Sequence, residues 1–214
     1  MAAEQVRRLR AVRDTETGHA QADSIGDGAV LGIPEHEFTP RVRRAVWALV
    51  QEARALRDAA DRDQLLPILN RRAFMRELER EIASVARYRT HSSLVYIDLD
   101  GLKPINDAHG HACGDSVLAH FARFLRAHVR ASDVVGRLGG DEFGILLSHA
   151  NVEQAEKKCA ALAGLLAAEP AKWGGVVLAL AFTFGLVELS DGMTGEFAVA
   201  QADAAMYRRR RLTR

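Results

Sequence analysis

The stretch DVVGRLGGDEFGILLS, residues 133–148, constrains the fold more than any other part of the chain. Two short runs of strand-forming residues flank Gly139 and Gly140. A tight antiparallel hairpin favours glycine there, because its turn uses backbone conformations with positive φ. The spacing predicts a two-residue hairpin turn at Gly139–Gly140. One such hairpin in a chain that otherwise alternates helices and strands excludes a doubly wound parallel sheet. It predicts an α+β fold: a mixed central β-sheet with a βαββ-type core, flanked by helices.

The neighbouring segments fill in that sheet. SLVYIDLD, residues 93–100, is a short apolar run of strand formers that ends in Asp98 and Asp100, as expected of a buried strand with acids at its exit. A helix is predicted from Asn70, with Phe74, Leu78, Ile82 and Val85 on one face. A second is predicted from Val117, Leu118, Phe121, Phe124, Leu125 and Val129, and a third runs from Asn151 with Cys159, Leu162, Leu165 and Leu166 among its apolar positions. GVVLALAFTFGLVEL supplies one or two more strands, and a last helix carries Ala202, Met206 and Tyr207.

Ahead of this region lie two segments of different character. Residues 1–37 have the Gly, Pro and Asp density of a loop over much of their length and show no sensor motif. Residues 38–62 predict a helical stalk. Thr39 before Pro40 forms an N-cap signal, and Val42, Val46, Leu49, Ala53, Leu56 and Ala60 follow at alternating spacings of four and three. So narrow an apolar stripe suits a two-stranded coiled coil, while an amphipathic helix packed on its own domain is the alternative. Arg43, Arg44, Glu52 and Arg57 fall off the stripe and are expected in solvent.

A net charge of +1 gives no reason to expect nonspecific attraction to nucleic acid or to anionic lipid. Cys113 and Cys159 have no partner spacing that suggests a disulfide framework or a zinc site. The charged N-terminus lacks an apolar signal core, and no stretch is long enough to span a bilayer, so no membrane insertion and a cytoplasmic location are expected.

The acids around the hairpin pose the chemical question. Asp98 closes one strand while Asp141 and Glu142 open another. Carboxylates meeting at sheet ends give oxygen ligands of the kind Mg2+ shares with substrate phosphates. Acids that only solubilise a loop are the alternative.

Four segments in order then resemble one family. RLGGDEF is similar to the signature of the GGDEF family, the diguanylate cyclases. DRDQLLPILNRRAF resembles that family's leading segment DxLTGLxNRRxF, IDLDGLKPINDAHGHACGD its DxDxFKxINDxxGHxxGD segment, and QADAAMYRRRR its closing helix. Together they cover residues 63–214, the expected catalytic domain.

The resemblance implies an enzyme that condenses two GTP into cyclic di-GMP, active as a homodimer through the stalk. It implies two Mg2+ or Mn2+ ions per site, held by Asp98, Asp141 and the carbonyl of Leu99, with Glu142 a further ligand. Asp141, Glu142 and Lys103 would be catalytic. Lys103, Arg210 and Arg214 would contact the triphosphate, Asn106 and Asp115 would read guanine, and Gly139 and Gly140 would let the turn approach the nucleotide. Arg130 and Asp133 match the family's RxxD site, where product binds and inhibits.

Each role has an ordinary alternative. Asp115 could be a helix N-cap, Arg208–Arg211 a solvated helix end, and Arg130 a cap on the helix before it. His109 and His111 are expected to be structural or exposed. The chain also departs from the family's pattern: Leu66 and Pro67 replace the usual Thr and Gly, and Gly101 and Leu102 stand where an aromatic is common. Two rival functions follow, a silent receptor for GTP or cyclic di-GMP that signals by oligomerising, and a scaffold acting through residues 1–62.

Overall fold

A computed structural model describes residues 39–212; the expectations for residues 1–38, and for Arg214, lie outside these. The chain divides into two units, residues 1–59 and 60–214. From the first comes most of α1 (Pro40–Asp61). The Thr39 hydroxyl accepts from the Val42 N–H at 3.4 Å, which is the expected cap. Val42, Leu49 and Leu56 of the stripe are 42, 65 and 65 % exposed.

The second unit runs α2 (Arg71–Tyr88), β1 (Ser92–Asp100), α3 (Leu102–His109), α4 (His111–His128), β2 (Val134–Arg137) and β3 (Glu142–Ser148). It continues with α5 (Val152–Ala168), β4 (Ala171–Trp173), β5 (Val176–Leu178), β6 (Ala181–Glu188) and α6 (Gly195–Leu212). The main sheet has the order β2-β3-β1-β6. All three of its ladders are antiparallel, and a single bridge from Leu69 to Gly136 adds a parallel pairing at the β2 edge. The expected α+β architecture of a helix-covered sheet is what the chain forms.

Strand β1 explains its own composition. It lies between β3 and β6, and side chains alternate across it. Val95, Ile97 and Leu99 enter one core with Phe121, Leu125 and Leu162 from α4 and α5; Leu94 and Tyr96 enter the other with Phe74, Leu78 and Met206 from α2 and α6. With both faces covered, the strand reads as a continuous apolar run rather than an alternating one. Asp98 and Asp100, two residues apart, therefore share the face of α2 and α6. The Phe74 ring lies over the cross-strand pair Gly136 and Gly144, where a Cβ on either glycine would collide with it.

Helix starts follow the sequence with one correction. Asn70 and Asn151 cap α2 and α5 by accepting from Ala73 and Gln154 N–H. Asp115 is not a cap: α4 begins at His111, with Gly110 (φ 83°) at its N-cap, so Asp115 lies inside the helix. Leu165 and Tyr207, placed among the apolar positions of their helices, are exposed.

The hairpin is also built differently from the expectation. Neither Gly139 nor Gly140 has positive φ; the two-residue positive-φ turn is Gly174–Gly175, joining β4 to β5. The β2–β3 connection instead closes with the Leu138 and Gly139 N–H groups both donating to the Glu142 carbonyl, at 2.8 and 3.3 Å. At Gly139 a Cβ would meet the end of the Glu142 side chain, which would have to turn aside.

Candidate nucleotide site at the strand ends

The turn after β2 is tied down at each carbonyl. Leu138 O accepts from Arg71 at 3.0 Å, Gly139 O from Arg137 Nε at 3.0 Å, and Gly140 O from Arg137 Nη2 at 2.8 Å. Asp141 O accepts from the Leu99 N–H at 3.0 Å. Arg137 also reaches Asp63 at 3.2 Å, and Asp63 in turn accepts from the Leu65 and Leu66 N–H groups, both at 3.0 Å. The leading segment and the glycine turn are thus joined through two guanidiniums, Arg71 on Leu138 and Arg137 on Asp63. This preorganisation explains how a loop of small residues holds one shape.

Register then brings the acids together. Asp98 pairs with Glu142 on one side and Thr183 on the other. Tyr96, on the same face, is buried; burial, followed by a hydrogen bond from its hydroxyl to Glu142, raises its pKa and keeps the phenol neutral. From α6, the Arg210 guanidinium donates to both oxygens of Asp98 and to Asp100 at 2.9 Å, while the Thr183 hydroxyl donates to Asp100 at 3.1 Å. The Asp98 bond is the main cause that raises Arg210 further above its ordinary value. The next residue, Arg209, makes a bidentate pair with Glu156 and stacks on Phe184, its guanidinium 3.8 Å from the ring centre. Arg209 and Arg210 are thus not a merely solvated helix end; Arg208 and Arg211 are exposed.

Among the described residues no three His, Cys, Asp or Glu side chains form a ready cage for a metal. Mg2+ is commonly bound by one or two carboxylates completed by water and phosphate oxygens. The donors present are hard oxygens, and Asp98 and Asp100 together hold a cation, the Arg210 guanidinium. The residues fit a divalent ion.

A second cluster lies on α3 and α4. The Asn106 Oδ1 atom is buried without a hydrogen-bond partner, and it packs against Gly114, where a Cβ would displace it. A buried amide oxygen without a donor costs about 1–3 kcal/mol. Asp115, the next residue, is exposed. Lys103 is exposed in the first turn of α3, and His109 and His111 are exposed as expected. Of the departures, Leu66 and Leu102 are buried in the larger core, and Pro67 O accepts from Arg62 and Arg126. The Arg130 N–H donates to Asp133 at 2.9 Å, closing the RxxD turn.

The sequence reading missed Asp63, Arg71, Tyr96, Asp100, Arg137 and Thr183. The signal for Asp100 was its two-residue spacing from Asp98. Arg137 stood inside RLGGDEF, but its partners come from distant segments.

The family described as "Diguanylate cyclase, GGDEF domain" matches residues 60–214. The chain belongs to the GGDEF family. The GGDEF region is 36% identical over 155 residues to the probable diguanylate cyclase DgcE of Escherichia coli, covering 72% of this chain and 14% of that protein. Diguanylate cyclase DgcP of Pseudomonas aeruginosa is 34% identical over 211 residues, covering 90% of this chain and 31% of that protein. The chain thus spans less than a third of the length of these relatives. Among solved structures, the coiled coil and GGDEF domain of DgcB from Caulobacter crescentus, in complex with c-di-GMP, superposes with a TM-score of 0.73 at 25% identity, covering 81% of this chain and 93% of that one. Diguanylate cyclase SiaD from Pseudomonas aeruginosa, in complex with its activator SiaC, gives 0.72 at 26%, covering 99% and 71%. No helix among the described residues is long and apolar enough to cross a membrane.

Proposed function

We propose that this GGDEF domain condenses two GTP into cyclic di-GMP. In each of two steps a 3′-hydroxyl oxygen forms a bond to the partner's α-phosphorus, the bond to pyrophosphate breaks, and the hydroxyl proton leaves to solvent. The observation that carries the reading is the strand register that sets Asp98 beside Glu142, with Leu99 hydrogen-bonded to Asp141, next to a turn held at every carbonyl. Asp98, Asp141 and the Leu99 carbonyl would hold Mg2+ or Mn2+, with Glu142 a further ligand. Such ions supply Lewis-acid polarisation of the α-phosphate and a more acidic hydroxyl.

The chain's own side chains do the rest. Lys103 and Arg210, joined by Arg214, neutralise the triphosphate, and Arg210 offers a planar fork rather than a point charge. Asn106 and Asp115 read guanine: the Asp115 carboxylate accepts from the ring N–H and amino group, and Asn106 Oδ1 gains the donor it lacks. Gly139 and Gly140 leave the turn open to the nucleotide. Positioning and charge neutralisation carry the rate.

Because one domain binds one GTP, two must face each other. The exposed stripe of α1 suits the homodimer this needs, giving residues 38–62 the role of a stalk and 63–214 that of the catalytic domain. Arg130 and Asp133 bind the product and restrain turnover.

The test is product formation from GTP and Mg2+, resolved by chromatography, after copurified nucleotide has been stripped. Wild type making cyclic di-GMP and Asp141→Ala making none is the expected result. A confirmed dimer that makes nothing would favour the receptor reading.

A further inference from the structure

The Arg130–Asp133 turn lies between two clefts. One runs toward Gln154 and Lys158; the other, of about 450 Å3, runs beneath Arg62, Arg126 and Pro67. The second has an unusual charge arrangement. Arg126 Nη1 donates to the Pro67 carbonyl at 2.6 Å, and Arg62 Nη1 donates to the same oxygen at 3.2 Å. Arg130 lines the same cleft, and Asp133 is its one carboxylate. Asp133 accepts from the Arg130 backbone N–H. None of the three guanidiniums makes an ion pair with a carboxylate among the described residues.

Three exposed guanidiniums against one carboxylate leave the cleft with an excess of positive charge, which favours an anionic ligand. Here the Pro67 carbonyl pins two of them, and each guanidinium has five N–H donors, most of them left for another acceptor. Between them the cleft has an apolar floor, with Ile68 and Val135 buried and Val129 beside them. Fixed forks at the rim and an apolar floor suit a phosphodiester carried between planar bases.

We propose that this cleft is a second half of the product site: Arg62 and Arg126 bind a phosphodiester of cyclic di-GMP whose other contacts are made at Arg130 and Asp133. The inference rests on the product-binding reading given above. It gives Pro67, which departs from the family's usual residue, a part in regulation. Bound product is held against residues 62–69, the segment that also carries Asp63, the partner of Arg137 at the glycine turn. Product is thereby coupled to the turn through the chain itself.

Isothermal titration of nucleotide-stripped full chain with cyclic di-GMP tests this. Arg62→Ala and Arg126→Ala are each expected to weaken binding about tenfold, the loss of one charge-assisted contact. Thermal melting checks the fold, and because Arg126 holds Pro67, Arg126→Lys keeps the test valid if the alanine variant unfolds. Wild type that binds no cyclic di-GMP would overturn the product-site reading itself. Binding lost in Arg130→Ala but unchanged in Arg62→Ala, Arg126→Ala and their combination would overturn this inference alone. Pyrophosphate bound as tightly, with the same arginine dependence, would also overturn it by making the cleft a general phosphate site.

Discussion

Replacing Arg137 with alanine removes the group that ties Asp63 of the leading segment to the Gly139 and Gly140 carbonyls, leaving Arg71 on Leu138. It deletes bonds to Gly139 O at 3.0 Å, Gly140 O at 2.8 Å and Asp63 at 3.2 Å. The side chains of Arg137 and Asp63 are 19 and 17 % exposed, so solvent replaces these bonds only in part. Breaking a well-buried ion pair by removing one partner costs about 3–5 kcal/mol, and partial exposure puts this site at about 3 kcal/mol. For a domain of this size that is a melting-temperature loss of roughly 6–12 °C. Activity should fall further than stability, because the turn loses its fixed shape even at temperatures where the domain stays folded. Arg137→Lys sharpens the argument: an ammonium can keep the charge pair with Asp63 but cannot hold both carbonyls with a planar fork. The expected result is partial recovery of the melting temperature with little recovery of turnover. A double-mutant cycle with Asp63→Asn isolates the pairwise part. An Arg137→Ala protein that melts within about 1 °C of wild type and turns over GTP normally would refute the reasoning.

Three further outcomes are expected. Asp115→Ala should reduce kcat/KM for GTP about a hundredfold and for ITP, which keeps the ring N–H but lacks the amino group, by a smaller factor, since only one of the two donors is there to lose; equal losses on both substrates would remove Asp115 as the reader of the amino group. In nucleotide-free Arg210→Ala, Mn2+ titration followed by electron paramagnetic resonance should show tighter metal binding, because Asp98 and Asp100 no longer share the guanidinium, while GTP binding weakens; unchanged Mn2+ affinity would contradict that competition. Burial pushes the Cys159 thiol up to about 12, and the thiolate is the reactive form. The folded chain therefore keeps it protonated at about pH 8.5, where an ordinary thiol is half ionised, and mass spectrometry should find Cys159 alkylated only after unfolding.

The parts of this fold that were legible in the sequence are those set by local pattern. Apolar periodicity located α2, α4 and α5, and the caps at Asn70 and Asn151 lie where short polar side chains precede apolar runs. The glycine turn was read for the wrong reason. Positive φ is a local property and gives Gly174–Gly175 its turn, whereas Gly139 has no positive φ and lies against the end of the Glu142 side chain, a neighbour that only the folded hairpin brings there. Asp115 looked like a cap because α4 was expected to start later; the helix begins at His111 without any side-chain cap, so no capping signal marks its start. The hidden part of the site is long-range. Arg137 and Asp63 are 74 residues apart, and Arg210 and Asp98 are 112 apart. No window of sequence holds both partners, so only the closing of the sheet and the packing of α6 bring them together.

The most direct test of the central claim is stoichiometry. Product-stripped protein, incubated with GTP and Mg2+, is assayed in the same tube for pyrophosphate and for cyclic dinucleotide. The account predicts two pyrophosphates for every cyclic di-GMP, and neither from Asp98→Asn. GTP that binds and stays intact in a confirmed dimer, or pyrophosphate released without cyclic product, would contradict it.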